Sequence, residues 1–230
     1  MIPRMPIINL VVFDIAGTII EDRGDVLTAF GNALHKNGIP FDEDELKEWK
    51  GASKRETIRH FVERENSRKS LSAETVERTY QLFRAELEDL YRKRVNPIPG
   101  AASTFAWCRE RGIRLATTTG FYREISDLIL DRTGWRDSFA ANVSSSDVTR
   151  GRPAPFMIFR AMEIAGIEDL QQVVNVGDTP LDLQAGTNAG VRGVVGVLTG
   201  SHGEESLKRA PHTHLLPSVA ELPLLIEHAF

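Results

Sequence analysis

Residues 7–18 read Ile7-Ile8-Asn9-Leu10-Val11-Val12-Phe13-Asp14-Ile15-Ala16-Gly17-Thr18. A half-exposed strand would alternate apolar and polar residues. The nearly continuous apolar run up to Phe13 instead marks a parallel strand buried on both faces. The run stops at a carboxylate. Ligands of an open α/β sheet bind beyond the carboxyl ends of its strands, so the residues that end each strand are the candidates for chemistry.

Downstream of the punctuation Asn96-Pro97-Ile98-Pro99-Gly100, strand and helix patterns alternate. Helices are predicted at about 101–111, 122–133, 155–165 and 181–189, with strands at Ile113–Thr117, Phe139–Val143, Val173–Val176 and Gly193–Val197. This alternation predicts an α/β fold, a Rossmann-like parallel sheet core with helices on both faces. The stretch between Asp22 and Arg94 reads differently. Residues 42–94 hold 26 of the chain's 60 charged side chains, and Val76, Tyr80, Phe83, Leu87 and Leu90 recur at helical spacing as one apolar stripe. The expected organisation is a core of residues 1–20 and 96–230 with an α-helical insert at 21–95. The stripe serves either internal packing of that insert or a homodimer seam.

Composition narrows the function classes. The chain has 230 residues, 41% of them hydrophobic, and 28 Lys plus Arg against 32 Asp plus Glu give a net charge of −4. That balance argues against general nucleic-acid binding. No apolar run approaches membrane-span length, and Met1–Asp14 lacks the long apolar stretch and cleavage site of a signal peptide. A single cysteine, Cys108, excludes an internal disulfide framework and a multi-thiolate metal site; it reads as a small buried hydrophobe. The expectation is a soluble cytoplasmic protein with no membrane and no nucleic-acid partner. His202, His212 and His214 have no carboxylate motif beside them and read as surface or loop residues.

The predicted strand ends carry Asp14, then Thr117-Thr118-Thr119-Gly120, then Gly177-Asp178-Thr179-Pro180-Leu181-Asp182, and Gly151-Arg152-Pro153 precedes a helix. One sheet edge would thus gather three carboxylates, hydroxyls and a guanidinium. Crowded carboxylates repel unless a cation neutralises them, and an all-oxygen set suits Mg²⁺. Thr119 and the Gly120 amide can bind phosphate oxygens, with Arg152 adding a fixed positive fork. A carboxylate held against a charge-neutralised phosphorus can attack it. Each piece alone reads as an ordinary turn or cap; all of them in this order on one edge do not. No G-x-G-x-x-G follows the first strand and no G-x-x-x-x-G-K-[ST] occurs, so a nucleotide-binding domain lacks its signature.

The strand-end Asp, the strand-end Thr, the Arg before a helix and the Gly-Asp-x-x-x-Asp loop resemble the four motifs of the haloacid dehalogenase superfamily. The resemblance spans the chain, since a helical cap inserted after the first motif (the C1 type) belongs to it. It implies that Asp14 is the nucleophile and a Mg²⁺ ligand, that Thr119 with Gly120 binds the transferring group and that Arg152 stabilises its charge. It further implies that Asp178 ligates the metal, that Asp182 supports it through water and that the Ala16 carbonyl completes the protein ligands.

Ala16 is a departure. Most phosphatases of this superfamily carry a second Asp two residues after the nucleophile, which protonates the leaving group; alanine transfers no proton. The form Asp14-Ile15-Ala16-Gly17-Thr18 resembles the phosphonatase-like branch, in which a cap lysine forms an imine with the substrate aldehyde. The matching stretch is Gly51-Ala52-Ser53-Lys54. Ser53-Lys54-Arg55-Glu56 also reads as a capping box, placing Lys54 in a first helical turn, where the helix dipole disfavours its charge and lowers its pKa. Lys50, Thr57 and Phe121 stand where that branch has methionine, histidine and tyrosine. The leading reading is a Mg²⁺-dependent hydrolase of a small phosphorylated or phosphonylated metabolite through phospho-Asp14. The alternatives are a phosphoglycolate-type phosphatase and a non-catalytic phosphate- or Mg²⁺-binding module.

Overall fold

The computed structural model describes residues 8–49, 52–65 and 69–230. Strands β1 (Leu10–Phe13), β2 (Arg114–Thr119), β3 (Ala141–Ser144), β4 (Val173–Gly177), β5 (Gly193–Val197) and β6 (His214–Leu216) form one sheet in the order β3-β2-β1-β4-β5-β6. Every neighbouring pair is parallel. β1 sits in the middle, with Phe13 paired to Thr117 of β2 and to Val176 of β4. That register brings the ends of three strands to one level.

The continuous apolar run of β1 has its predicted cause. Val11 and Phe13 enter one hydrophobic cluster while Leu10 and Val12 enter another on the opposite face, and all four are fully buried. Each such side chain contributes about 1.5–3 kcal/mol. Ile7, the first residue of the predicted run, lies outside the described residues.

Between β1 and β2 come α1 (Asp25–Lys36), α2 (Glu43–Glu48), α3 (Lys54–Glu65) and α4 (Lys69–Lys93). The chain leaves and returns at one place, where Ile20 bridges Pro97. Phe30 of α1 stacks on Phe83 of α4 with ring centroids 4.3 Å apart, and Val76, Tyr80, Phe83 and Leu87 are buried within the chain. Four of the five stripe residues therefore serve packing within the chain, and Leu90 is half-buried.

The first cluster is completed by α5 (Ala101–Glu110), α6 (Arg123–Thr133) and the late helix α10 (Leu222–Ala229); α7 (Phe156–Ala165) and α8 (Pro180–Ala189) belong to the second. Cys108 of α5 is buried, and burial pushes its thiol up to about 12, so it is an inert packing group.

The structure differs from the sequence reading at three places. β3 is Ala141–Ser144 rather than Phe139–Val143. β2 runs on to Thr119, because Thr119 pairs with Ser144 of β3. Beyond residue 198 the chain adds α9 (Glu204–Arg209), β6 and α10, elements too short or too polar to read from periodicity. His214 consequently lies in β6 rather than a loop, its ring edge-on to Phe230 at 5.4 Å. Among the described residues no helix is long and apolar enough to cross a membrane.

Candidate active site

Asp14, Asp178 and Asp182 are all buried, and each places a carboxylate oxygen within 4.8 Å of the others. The sheet does the positioning. Asp14 directly follows β1, and its amide donates to the Val176 carbonyl of β4 at 2.8 Å. Asp178 follows the last residue of β4. Asp182 lies in the first turn of α8, where it closes a capping box: its Oδ2 accepts from the Thr179 amide at 3.0 Å and the Thr179 hydroxyl at 2.6 Å.

Arg152 ties this cluster together from the loop before α7. Its Nη1 donates to Asp14 Oδ1 at 2.8 Å, and its Nε lies 2.8 Å from Asp182 Oδ1. Its Nη2 donates to the Thr118 carbonyl at 2.7 Å and the Thr118 hydroxyl at 3.0 Å. Arg152 is itself buried, so its placement is fixed by three elements at once. Thr118 was not singled out by the sequence reading; only its position beside Thr119 hinted at it.

Electrostatics follow from burial. Desolvation pushes the Asp14 carboxyl up from 3.8 to about 6, Arg152 pulls it down, and the Asp182 charge pushes it up again. For Arg152 burial works against the charge, but Asp182, Asp14 and Asp178 outweigh it and raise its pKa. One guanidinium against three carboxylates leaves two negative charges within the cluster, the amount a divalent cation balances.

Asp178 rests in a cradle of glycines. Gly17 has φ +90°, and a β-carbon there would stand 2.5 Å from Asp178 Oδ2; a β-carbon at Gly200 would overlap the same oxygen. The Thr18 hydroxyl donates to Asp178 Oδ1 at 3.3 Å, and the Thr199 hydroxyl holds the Gly17 carbonyl at 2.6 Å. Gly200 follows β5 with no motif around it, and sequence reasoning missed it. Asking what ends the fifth strand would have found it. This all-oxygen donor set, cradled where no side chain fits, suits a hard divalent cation.

Thr119 is buried, and its hydroxyl oxygen accepts the Phe121 amide at 3.1 Å, which leaves its proton for another acceptor. The Gly120 carbonyl accepts the amide of Lys54 at 3.4 Å, so the inserted helices meet the end of β2 here. Lys54 opens α3 and is buried; its Nζ lies 3.3 Å from the Ala52 carbonyl and 5.2 Å from the centre of the Phe121 ring. Thr57, also buried, donates its hydroxyl to the carbonyl of Ser53, the residue before α3. Ala16 is half-buried and offers only a methyl group. Lys50 and Gly51 lie outside the described residues.

The chain is similar to known proteins over most of its length. The model of a family described as haloacid dehalogenase-like hydrolase matches residues 11–196. A phosphonoacetaldehyde hydrolase from Bacillus cereus is 32% identical over 208 residues, covering 84% of this chain and 77% of that one. Another phosphonoacetaldehyde hydrolase, from Hahella chejuensis, is 29% identical and covers 96% of this chain and 86% of its own. A solved structure of a phosphonoacetaldehyde hydrolase-like protein from Oleispira antarctica superposes with a TM-score of 0.83 at 24% identity, covering 96% of this chain and 92% of that one.

Proposed function

Since the chain belongs to the haloacid dehalogenase-like hydrolase family and is a hydrolase, we propose that it cleaves a small phosphonate by a phosphonatase-like route through phospho-Asp14. The observation that carries this reading is the meeting of two sets of groups at one rim. Asp14, Asp178, Asp182 and Arg152 cluster there, and Lys54 of the inserted helices is tied to Gly120 beside them. In this reading residues 21–95 act as a cap over the core formed by 1–20 and 96–230. The lone buried thiol suits a cytoplasmic setting.

Asp14, Asp178 and the Ala16 carbonyl would hold Mg²⁺, with Asp182 acting through water because both of its oxygens already have partners. When bound, Mg²⁺ supplies the positive charge that lets a carboxylate approach an anionic phosphonyl group. Arg152 and the free proton of Thr119 hold the oxygens of that group in line with Asp14. Lys54 Nζ condenses with the aldehyde carbon, releasing water and forming an imine. The Asp14 oxygen then bonds to phosphorus as the P–C bond breaks, and its electron pair passes into the imine as an enamine. Water hydrolyses the acyl-phosphate to phosphate and free Asp14. The enamine takes up a proton and is hydrolysed from Lys54. The acid missing at Ala16 is thereby unnecessary, because the electron pair leaves into nitrogen.

Release of phosphate from phosphonoacetaldehyde, lost in Asp14→Asn and in Lys54→Arg, is the expected result. Borohydride with substrate should trap a covalent adduct on Lys54. Undiminished turnover of phosphoglycolate by Lys54→Ala, with no adduct, would instead establish an ester phosphatase.

A further inference from the structure

Gly151 stands directly before Arg152, and the reaction just described gives it no part. Its φ lies outside the left-handed region, so the backbone there does not itself call for glycine. What a side chain would meet is the inserted helices. A β-carbon at 151 would stand 3.6 Å from Ser53 Cβ, 3.7 Å from Glu56 Oε2 and 3.8 Å from the Ser53 amide nitrogen. Gly151 is buried, and these contacts set the first turn of α3 against it.

The same turn touches a second core loop. The Lys54 amide donates to the Gly120 carbonyl at 3.4 Å, and the Ser145 hydroxyl steadies that loop, 3.3 Å from the Gly120 carbonyl and 3.2 Å from that of Phe121.

The two sides of the Gly151 contact are held with unequal firmness. The core side is pinned, because Arg152 bonds Asp14, Asp182 and Thr118. The Asn188 side chain donates to the Pro153 carbonyl at 2.8 Å, and the Ala154 amide closes a turn onto the Gly151 carbonyl at 3.0 Å. The Lys54 amide bond that ties α3 to the core is long for a hydrogen bond. A side chain at 151 would therefore displace α3, and Lys54 with it, before it moved Arg152.

We propose that Gly151 is a positioning residue for the amine: the bare backbone lets the first turn of α3 close to contact distance, which sets where Lys54 stands relative to the groups that hold the phosphonyl. A methyl group fits there in ordinary contact; a branched side chain, reaching about 1.5 Å further, does not. This inference rests on the phosphonatase-like reading above and adds the residue that fixes its lysine.

The test uses the whole protein with magnesium chloride. It reads the rate at which borohydride traps phosphonoacetaldehyde on Lys54, kcat for phosphate release, and the affinity for inorganic phosphate by calorimetry. Gly151→Val should slow trapping and lower kcat about 10–100-fold, the scale of a misplacement of about 1 Å. Phosphate affinity should stay within about twofold, because phosphate needs only the core groups. Ser53→Gly removes the β-carbon nearest to 151; added to Gly151→Val it should restore trapping about threefold or more. Gly151→Ser, one atom longer than a methyl, should slow trapping about threefold and serves where the valine chain does not fold. Trapping at the wild-type rate in whichever of the two folds overturns the inference while the phosphonatase-like reading stands. Phosphate affinity that falls in step with trapping also overturns it, by placing the damage at Arg152. Absence of a Lys54 adduct in the wild type removes the reading itself and the inference with it.

Discussion

Gly200 lies flat against Asp178, so close that a β-carbon at 200 would occupy the place of the carboxylate oxygen. The contact comes from two different strand ends, β5 and β4, and no other residue type fits it. Gly200→Ala should displace Asp178, cost about 1–3 kcal/mol of stability by overpacking and weaken the apparent Mg²⁺ affinity about 10–100-fold. Magnesium titration of turnover beside a denaturant melt checks both. An alanine variant with wild-type magnesium dependence would remove Asp178 from the metal site.

Arg152 is the cation that lets Asp14 and Asp182 coexist without solvent. Arg152→Ala strands two buried carboxylates and should cost about 3–5 kcal/mol in the metal-free protein, with turnover down about 10²–10³-fold. Arg152→Lys retains the charge but cannot reach Asp14, Asp182 and Thr118 together. It should restore part of the stability and little of the turnover. Equal activity in the lysine variant would show that charge alone matters.

Asp14 sets a pH dependence with a definite direction. Its carboxyl titrates at about 6 in the folded, metal-free protein and near 3.8 when unfolded. Below the lower value both states hold the proton. Between the two the folded state holds more protons, so this group's contribution to stability declines as pH rises. Above pH ~6 the deficit is complete, at about 3 kcal/mol. Asp14→Asn cannot ionise, so in a chelator its stability advantage over the wild type should grow from pH ~4 to pH ~6 and then level. Urea melts across that range decide it; a difference that does not change with pH would refute it.

Phe83 anchors the inserted helices through its stack on Phe30. Phe83→Ala should cost about 3–5 kcal/mol while leaving the protein's size in solution unchanged, because the face it leaves is internal. Sedimentation beside a melt would reveal a change of oligomeric state if the stripe also joined two copies.

What the sequence revealed follows from its periods. β1 was legible because burial on both faces forces a run of Leu10, Val11, Val12 and Phe13, and such a run ends abruptly at Asp14. Asp178 and Asp182 were legible because one helix start writes its cap as a local motif. Arg152 was legible as a candidate positive fork before a helix, but not its bonds to Asp14, Asp182 and Thr118, which three separate elements bring together. Gly200 was not legible, because its role is a contact between loops 22 positions apart along the chain.

The Ile20–Pro97 bridge has a mechanical corollary. Both tethers of the helical insert cross at that point, which makes it the natural fulcrum for any swing of the insert over the sheet.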